Sequence, residues 1–396
     1  MPAVRDFVFG PWRAVVVLGV TQIIAWGAIF YPPVLMMPLI SADRGYSFTF
    51  AMGGFSAGLL AAGFISPTIG TLIDRYGGHR VMPLGSLAGA LGLVALVYTR
   101  HPAAYLAVWV LLGVAMAASL YDPAFATLGR IFGARARQPI TALTLAGGFA
   151  STVSWPTTYA LVQRVGWENT YLIYAAVLAC VAAPLHAFAL PRARAEPEVP
   201  VPGAIVSRPA LAPAKGAVFV LVAAAFASYA FVPSGLSTHL LAIFKRLGID
   251  AGTAVIIGSL FGPSQVAARL CEFIFARNVH PLWIARFAVG MLVAAFVMLW
   301  LIGLSTPVAF AFAVMFGIAN GLVTIARGAV PLALFGAVGY GRIIGRIAGP
   351  ALIVTSIAPV VVAFIAERAS DRWALATVAV FATVALGCFL LVRRPL

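Results

Sequence analysis

The stretch GTLIDRYGGHR, residues 70–80, is a short polar turn between two long apolar runs. The run before it covers residues 48–73, and the run after it covers residues 80–99. Each is long enough to cross a bilayer as a helix, which takes about 20 apolar residues. A turn with acidic, basic and glycine residues at such a junction predicts two membrane-spanning helices that reverse direction outside the hydrocarbon.

The composition of the whole chain extends this pattern. Hydrophobic residues make up 62% of the 396 residues, and charged residues make up only 9%. A soluble domain is about 25% charged, so we predict an all-α integral membrane protein. The net charge of +15 comes from basic residues scattered between apolar runs, which is atypical of a nucleic-acid-binding surface. We therefore expect the lipid bilayer, and no nucleic acid, as a partner.

Apolar runs of spanning length predict twelve transmembrane helices. The runs are residues 14–39, 48–73, 80–99, 103–129, 139–163, 169–190, 216–243, 252–276, 281–304, 307–335, 342–366 and 371–392. They lack the alternation of barrel strands. With both termini inside, 17 of the 26 Lys and Arg lie on the inner side and seven on the outer side. Basic residues in short loops favour the cytoplasm, so we predict an N-in/C-in orientation.

The longest polar segment is PRARAEPEVPVPGAIVSRPALAPAK, residues 191–215, whose proline content is typical of an extended linker. It predicts an N-terminal six-helix bundle at residues 1–190, a cytoplasmic linker, and a C-terminal six-helix bundle at residues 216–396. LGRIFG at 128–133 and LALFG at 332–336 indicate that the bundles are pseudo-symmetric. Such repeats are typical of a transporter with its site between its halves.

Residue types that serve catalysis or metal binding are dispersed. The three cysteines each lie inside an apolar run, and the five histidines are spread along the chain. They form no metal-ligand spacing, and the chain has no nucleophile motif or phosphate-binding loop. We therefore expect neither an enzyme nor a bound metal or cofactor.

The turn at 70–80 resembles the loop signature of the major facilitator superfamily, in which G-x3-D-R-x-G is followed by basic residues. The residues that fit are Gly70, Asp74, Arg75, Gly77 and Arg80. The matching turn of the second half, FARNVHPLW at 275–283, has neither the Asp-Arg pair nor the glycine. With the spans and the linker, the resemblance covers the whole chain and implies the two-bundle fold of that superfamily.

The resemblance also implies a role for this turn. In the family, the loop aspartate caps a neighbouring helix and pairs with the arginine, which latches one conformation. Carried over to Asp74 and Arg75, this predicts a conformational latch. The alternative is a basic turn that only sets the topology.

Within the superfamily, the first half is similar to the bacterial monocarboxylate-porter and oxalate-antiporter-like branch. The similar pieces are WGAIFYPPVL at 26–35, GFISPTIGTLIDRYG at 63–77 and GGFASTVSWP at 147–156. That branch often has GWR before its sixth span, where this chain has GWEN with Glu168. An arginine of span eight contacts the substrate anion in that branch, and Arg269 is at a matching position. The branch implies a carrier in the bacterial inner membrane.

Four ionisable residues lie well within the predicted spans. They are Asp122, Arg269, Glu272 and Arg327. Each costs roughly 2.5–3.5 kcal/mol at a helix centre on insertion scales, and such residues normally face a cavity or one another. At about 1.5 Å rise per residue, Arg269 lies roughly 8 Å and Glu272 roughly 12 Å from the middle of the span. These four residues are therefore the first candidates for a site.

Two interpretations are open for these charges. Arg269 and Glu272 share a helix face, so they either neutralise each other or bind and release a substrate carboxylate, which a guanidinium grips with two hydrogen bonds. Arg327 and Asp122 lie at nearly equivalent positions of the two halves. They form either a bridge that relays charge or separate local contacts, with Arg327 on nearby backbone carbonyls and Asp122 capping a kink.

Further candidates are aromatic or polar residues within the spans. For substrate binding they are Gln265, Asn320, Trp26, Tyr31, Tyr229 and His239. Aromatic residues in membranes more often pack or lie at the interface, so a structural role is the alternative for the rings. A histidine at the outer end of a span is either structural or able to titrate near physiological pH.

Together these observations predict a monomeric secondary transporter that moves a small organic anion by alternating access, with H+ as the coupling ion. Arg269 and Arg327 attract the anion in this hypothesis, and Asp122 or Glu272 carries the proton. Two alternatives remain open. One is an exporter of drug-like or amphipathic compounds, and the other is a non-transporting membrane receptor or sensor.

Overall fold

The computed structural model describes residues 10–192, 216–246, 248–276 and 278–393. Within these ranges, the side chains of residues 237–246, 251 and 255 are not described. Every regular element in this part of the chain is helical. The predicted linker lies outside the described residues except for Pro191 and Arg192.

The described chain contains fifteen α-helices. They are α1 Arg13–Ala25, α2 Pro33–Arg44, α3 Phe48–Tyr76, α4 Gly78–Tyr98, α5 Pro102–Ser119, α6 Tyr121–Phe132, α7 Arg137–Gly148, α8 Ala150–Val177, α9 Ala217–Arg246, α10 Ala251–Ser259, α11 Phe261–Phe275, α12 Pro281–Ile302, α13 Thr306–Phe335, α14 Tyr340–Arg368 and α15 Asp371–Leu391. Shorter π-helical segments cover Trp26–Phe30, Leu178–Ala182 and Leu185–Ala189, and a 3-10 turn covers Gly133–Arg135.

Eleven segments of the described chain are long and apolar enough to cross a membrane. One of them, Arg137–Ala189, has 53 residues, which at about 1.5 Å per residue is more than twice the thickness of the hydrocarbon core. It is broken at Gly166, whose φ of 79° and ψ of 171° are not helical. Glycine adopts a positive φ without the penalty that a β-carbon brings. The segment is therefore two helical stretches, and the chain is a multi-pass helical membrane protein.

Polar side chains begin helices outside the membrane-spanning segments. The Ser47 hydroxyl accepts a hydrogen bond from the N–H of Phe50 at the start of α3. Asp250 Oδ1 accepts from the N–H groups of Gly252 and Thr253 at the start of α10. Such caps satisfy amide groups that have no partner within the helix. Hydrogen bonds from Thr253 and Gly252 hold the pKa of Asp250 below its ordinary value.

The helices group into two units. The first takes in the described residues up to Val220 together with Pro331–Arg346. The second takes in Leu221–Val330 and the described residues from Ile347 onward. The end of α13, the turn after it and the start of α14 are thus grouped with the first unit. The predicted division into bundles at 1–190 and 216–396 stays a prediction.

In the first unit, glycines allow α3 and α5 to approach closely. A β-carbon at Gly58 would lie 2.8 Å from the carbonyl oxygen of Trp109, and one at Gly113 would overlap the backbone of Gly58. Lipid tails are as apolar as the side chains, so helices in a membrane associate through close packing at small residues. These glycines therefore fix the contact between the two helices.

In the second unit, α12 packs along α15. Arg286 of α12 donates from Nε to the carbonyl oxygen of Phe389 at 3.0 Å and from Nη2 to that of Val392 at 2.8 Å. The last carbonyls of a helix have no intrahelical partner and carry partial negative charge. Arg286 therefore satisfies the end of α15.

Candidate substrate-binding site

Four of the predicted binding residues come together in the second unit. Gln265 and Arg269 are one turn apart on α11, Asn320 lies on α13, and Tyr229 lies on α9. The Tyr229 hydroxyl donates to Asn320 Oδ1 at 3.0 Å, and Arg269 Nη2 lies 3.5 Å from Gln265 Oε1. We call these four residues the polar cluster.

Arg269 is the buried charge of the polar cluster. Only 4% of its surface is exposed, and its Nε lies 3.4 Å from the carbonyl oxygen of Gly321, the neighbour of Asn320. A guanidinium carries five N–H donors in one plane, which matches the two oxygens of a carboxylate. The arrangement of Arg269 beside side-chain amides and a phenol can therefore bind an anion.

Close packing of α11 against α13 brings this cluster together. A β-carbon at Gly321 would lie 2.6 Å from the carbonyl oxygen of Gln265, and one at Gly317 would lie 2.7 Å from the β-carbon of Ser264. Side chains at these positions would separate the helices. The two glycines of α13, one turn apart, thus set the distance between Asn320 and the residues of α11.

Glu272 and Arg327 are the two other charges that the sequence placed within spans of this unit. Glu272 on α11 is 4% exposed and lines an apolar cavity of about 660 Å³ between α11, α12 and α13. Arg327 is half-buried on α13, seven residues after Asn320. Residues seven apart lie two turns apart on one face of a helix, so Arg327 and Asn320 share a face of α13.

A second group of predicted residues surrounds the π-helical segment Trp26–Phe30 of the first unit. The N–H of Tyr31 donates to the carbonyl oxygen of Trp26 at 3.0 Å, which is the wider i→i+5 spacing of a π turn. The Ser154 hydroxyl of α8 donates to the carbonyl oxygen of Gly27 at 3.2 Å. The segment lies at the middle of the candidate span Arg13–Arg44, and π segments occur frequently at functional sites.

Gln22 links this segment to the break between α5 and α6, and the sequence analysis did not select it. Its Nε2 donates to the carbonyl oxygen of Ser119 at 2.8 Å, and its Oε1 accepts from Trp26 Nε1 at 3.0 Å. The break lies at Leu120, whose φ of −84° and ψ of −156° are extended. A helix end inside a membrane needs such a donor because no water is present to satisfy its carbonyls.

The break places Asp122 in the first turn of α6, where the partial positive charge of a helix N-terminus favours a carboxylate. Asp122 lines a small cavity of about 10 Å³ together with Ser66 and Gly70 of α3 and Gly345 of α14. This is about the volume that one water molecule needs. The carboxyl group therefore lies where α3, α6 and α14 meet.

Aromatic rings surround Trp26. Its ring centroid lies 4.5 Å from that of Phe30 and 5.2 Å from that of Tyr121. The Tyr31 ring lies 6.3 Å from that of Trp155 on α8. Trp155 is exposed, and the other four rings are half-buried. The structure thus brings the predicted residues Trp26 and Tyr31 into one aromatic surface at mid-span depth.

Asp74 lies in the last turn of α3 and caps α14. Its Oδ1 accepts a hydrogen bond from the N–H of Gly341 at 2.9 Å, and its Oδ2 accepts from the N–H of Arg342 at 2.8 Å. The first N–H groups of a helix have no intrahelical partner, and its N-terminus attracts negative charge. Arg130 of α6 donates to the backbone carbonyl of Asp74. The turn therefore joins α3, α6 and α14.

The other residues of the loop signature have distinct surroundings. A β-carbon at Gly70 would overlap the backbone of Gly341. Gly77, with a φ of 85°, ends α3. The Arg75 guanidinium lies 5.1 Å from the centroid of the Tyr76 ring, and Arg80 is exposed.

Two histidines complete the comparison with the sequence analysis. His239 lies on α9, but its side chain is outside the described residues. His186, which the sequence analysis did not select, is fully buried. Its Nδ1 lies 3.1 Å from the Ser86 hydroxyl and its Nε2 lies 2.9 Å from the Thr21 hydroxyl. The only sign of this contact in the sequence is that Thr21, Ser86 and His186 are polar residues inside three apolar runs.

Comparisons with known proteins agree with this architecture. A family model described as Major Facilitator Superfamily matches residues 15–325. The crystal structure of the human organic anion transporter MFSD10 (TETRAN) has a TM-score of 0.71 at 18% identity, covering 99% of this chain and 100% of that chain. The E. coli fucose:proton symporter FucP has a TM-score of 0.74 at 12% identity, covering 97% and 99%.

A bacterial homologue of the iron transporter ferroportin, in an outward-facing state, has a TM-score of 0.72 at 13% identity, covering 96% of this chain and 98% of that chain. At such identities the likeness shows the fold alone. No curated protein matches the chain by sequence. The family model spans more than half of the chain, and the chain therefore belongs to the major facilitator superfamily of membrane transporters.

Proposed function

We propose that this protein is a secondary transporter that moves a small organic anion with a carboxylate group by alternating access, coupled to H+. The observation that carries the proposal is Arg269, a guanidinium buried within a membrane-spanning helix, beside the Gln265 side chain and the carbonyl oxygen of Gly321, the neighbour of Asn320. An ionised side chain at such a place costs free energy and is normally retained for function.

The neighbours of Arg269 supply further hydrogen-bond donors. Asn320 accepts from Tyr229 through Oδ1, which directs its NH2 group elsewhere as a donor. Arg327 adds a second positive charge on the same face of α13. Donors and positive charge favour an anion, and the bidentate geometry of guanidinium favours a carboxylate. In the first unit, the aromatic surface of Trp26 and Tyr31 supports contact with the apolar part of a substrate.

Asp122 is the better of the two candidates for the coupling proton. It adjoins a cavity of about one water molecule between α3 and α14, the two helices that Asp74 joins. Protonation there would change the charge at a contact that alternating access has to open, and we assign the latch role to Asp74 and Gly70 on the same grounds. Glu272 lines an apolar cavity instead and is the second candidate.

We further propose twelve membrane spans with both termini in the cytoplasm of a bacterial inner membrane, in a monomeric protein. Gly166 divides one of the eleven apolar segments, which supports the count of twelve. The similarity of the first half to the monocarboxylate-porter and oxalate-antiporter-like branch supports a carboxylate substrate.

Uptake into proteoliposomes tests the proposal. We expect uptake of a carboxylate from a panel of mono- and dicarboxylates, stimulated by an inward H+ gradient. Arg269→Ala should lower it at least tenfold, and Arg269→Lys should restore it only in part because an ammonium lacks the planar fork. Arg372→Ala, which removes an exposed arginine at the start of α15, is the matched control and should transport like the wild type.

The same assay separates the roles and the alternatives. Asp122→Asn should abolish H+-driven accumulation but retain exchange of labelled for unlabelled substrate. If Glu272→Gln gives that result instead, the coupling role belongs to Glu272. Unchanged carboxylate uptake in Arg269→Ala would contradict the anion site. Transport of a neutral or cationic drug would favour the exporter, and binding without flux would favour a receptor.

A further inference from the structure

A deep apolar groove lies on the second unit, beside α11. Its volume is about 660 Å³. Three membrane-spanning helices, α11, α12 and α13, form its walls. Its lining includes Ala268, Cys271 and Glu272 of α11, Trp283 and Ile284 of α12, and Leu322 of α13. We call this cavity the α11–α12 groove.

The α11–α12 groove is as deep as one leaflet of a bilayer. The end of the groove at Ser264 lies deepest in the membrane, at the middle of the candidate span Gly252–Phe275. The opposite end, at Ala276, lies just beyond the last residue of that span. Twelve residues of helix rise by about 18 Å, and half of the hydrocarbon core is about 15 Å thick. The groove therefore runs from the membrane surface to the midplane.

Apart from Glu272, which is 4% exposed, the walls of the groove suit a hydrocarbon chain. At its base, Ala268, Ile284 and Leu322 are buried with 7% of their surfaces exposed. At its mouth, Phe275 is 79% exposed and Phe287 is 63% exposed. Apolar walls favour contact with apolar groups over contact with water, and the surrounding bilayer supplies chains at high concentration. Apolar depth and an open, aromatic mouth both favour an occupant from the lipid phase.

We propose that the α11–α12 groove holds one acyl chain of a bilayer phospholipid as a bound ligand. The chain contacts Ala268, the neighbour in sequence of Arg269, so it supports α11 at the turn that carries the polar cluster. Trp283 lies near the start of α12, where an indole ring at the membrane surface anchors a helix beside lipid headgroups. The bound chain thus keeps in place the helix that carries the buried guanidinium.

Two tryptophans of α12 give a test with a matched control. Trp283 lines the groove and is 49% exposed, whereas Trp300, near the other end of the same helix, is 69% exposed and does not line it. The full chain is reconstituted with dibrominated phosphatidylcholine, whose bromine atoms quench tryptophan on contact, and is then transferred into detergent. The fluorescence of each tryptophan is the difference between the wild type and Trp283→Phe or Trp300→Phe.

We expect both tryptophans to be quenched in the bilayer, and most of the quenching at Trp283 to persist in detergent while Trp300 recovers. Equal recovery of the two would overturn the proposal. Cys271→Phe fills the groove from α11 and should remove the persistent quenching. Cys180→Phe, at an exposed cysteine of the first unit, should not.

Native mass spectrometry of the wild type detects bound phospholipid directly and does not depend on the folding of Cys271→Phe. One phospholipid should remain bound after detergent exchange, and its absence would overturn the proposal. Dodecanoate is added as a competitor. Restored Trp283 fluorescence together with transport of dodecanoate would assign the groove to an amphipathic substrate instead, whereas persistence of the quenching supports a bound phospholipid chain.

Discussion

Asp74 at the end of α3 and Gly341 at the start of α14 are joined by a hydrogen bond of 2.9 Å from the Gly341 N–H to the Asp74 carboxylate. They lie 267 residues apart in the chain. We predict that Asp74→Ala destabilises this cap by about 0.5–2 kcal/mol. The amides of Gly341 and Arg342 should then exchange faster in hydrogen–deuterium exchange, whereas Asp74→Asn, which keeps one acceptor, should have a smaller effect. Unchanged exchange in both variants would contradict the cap.

The contact between Gly70 and Gly341 leaves no room for a side chain. A β-carbon at Gly70 would overlap the Gly341 backbone, whereas one at Gly53 of the same helix would meet nothing within 4 Å. We predict that Gly70→Ala lowers the free energy of unfolding by about 1–3 kcal/mol through overpacking. Gly53→Ala is the matched control and should have no such effect. Thermal melts in detergent measure both, and equal midpoints would argue against the close approach.

Gln22 is predicted to stabilise the break between α5 and α6. Gln22→Leu removes the donor to the Ser119 carbonyl and the acceptor of Trp26 Nε1. Because buried polar groups are then left unsatisfied, we expect a loss of about 1–3 kcal/mol. Gln163→Leu, at an exposed position of α8, is the control. Tryptophan emission should also change in Gln22→Leu alone, since the Trp26 indole loses its hydrogen bond.

Arg44, at the end of α2, is predicted to act mainly through backbone carbonyls. It donates to the carbonyl oxygen of Val97, near the end of α4, and to that of Thr99, just after α4. A carboxylate oxygen of Glu168 lies 3.8 Å from Arg44 Nη2. The Glu168 side chain is 45% exposed and the pair is long. Ion pairs reached by solvent are worth about 0–1 kcal/mol, so Glu168→Gln should change the thermal midpoint little. Arg44→Ala should lower it more, because the carbonyls lose their donor. A larger effect of Glu168→Gln would place the stabilisation in the ion pair.

The start of α10 should depend on pH. Asp250 accepts from Thr253 and Gly252, and these bonds hold its pKa below the ordinary 3.8. A lowered folded-state pKa means that the stabilisation is present above the unfolded-state pKa and is lost as the pH falls through the folded-state value. The protection of the Thr253 amide in Asp250→Ala should therefore fall below that of the wild type at neutral pH and equal it at strongly acidic pH. A difference that persists in strong acid would contradict this.

Much of the fold follows from local properties of the sequence. The length of the apolar runs predicted membrane-spanning helices, and the turn at 70–80 carried the family resemblance that the family model confirms. The π-helical segment Trp26–Phe30 was not predicted, and a kink near Asp122 was only one of two open alternatives. Both interruptions are followed by prolines, which do not determine the form that the interruptions take. They depend on partners such as Gln22, which lies about a hundred residues from the carbonyls that it binds.

The sequence singled out the residues of the candidate site, but it did not show how they are arranged in space. The cost of burying charge singled out Arg269 and Glu272, yet the spacing alone did not show that Glu272 lines an apolar groove. The sequence equally did not show that Asp122 adjoins α3 and α14. Such placements follow from glycine contacts between helices distant in the chain, such as Gly321 against Gln265, and pairings of this kind carry no periodic pattern.

The π-helical segment Trp26–Phe30 gives the first span an unusual tolerance to a change in length. A π turn holds about one residue more than an α turn, so deleting Ala28 would restore ordinary winding and leave both flanking helices where they are. The same deletion in the middle of α4 would rotate everything beyond it by about 100°. The π turn that positions Trp26 and Phe30 can therefore be lost or regained through a single deletion or insertion, without a change in the helices on either side of it.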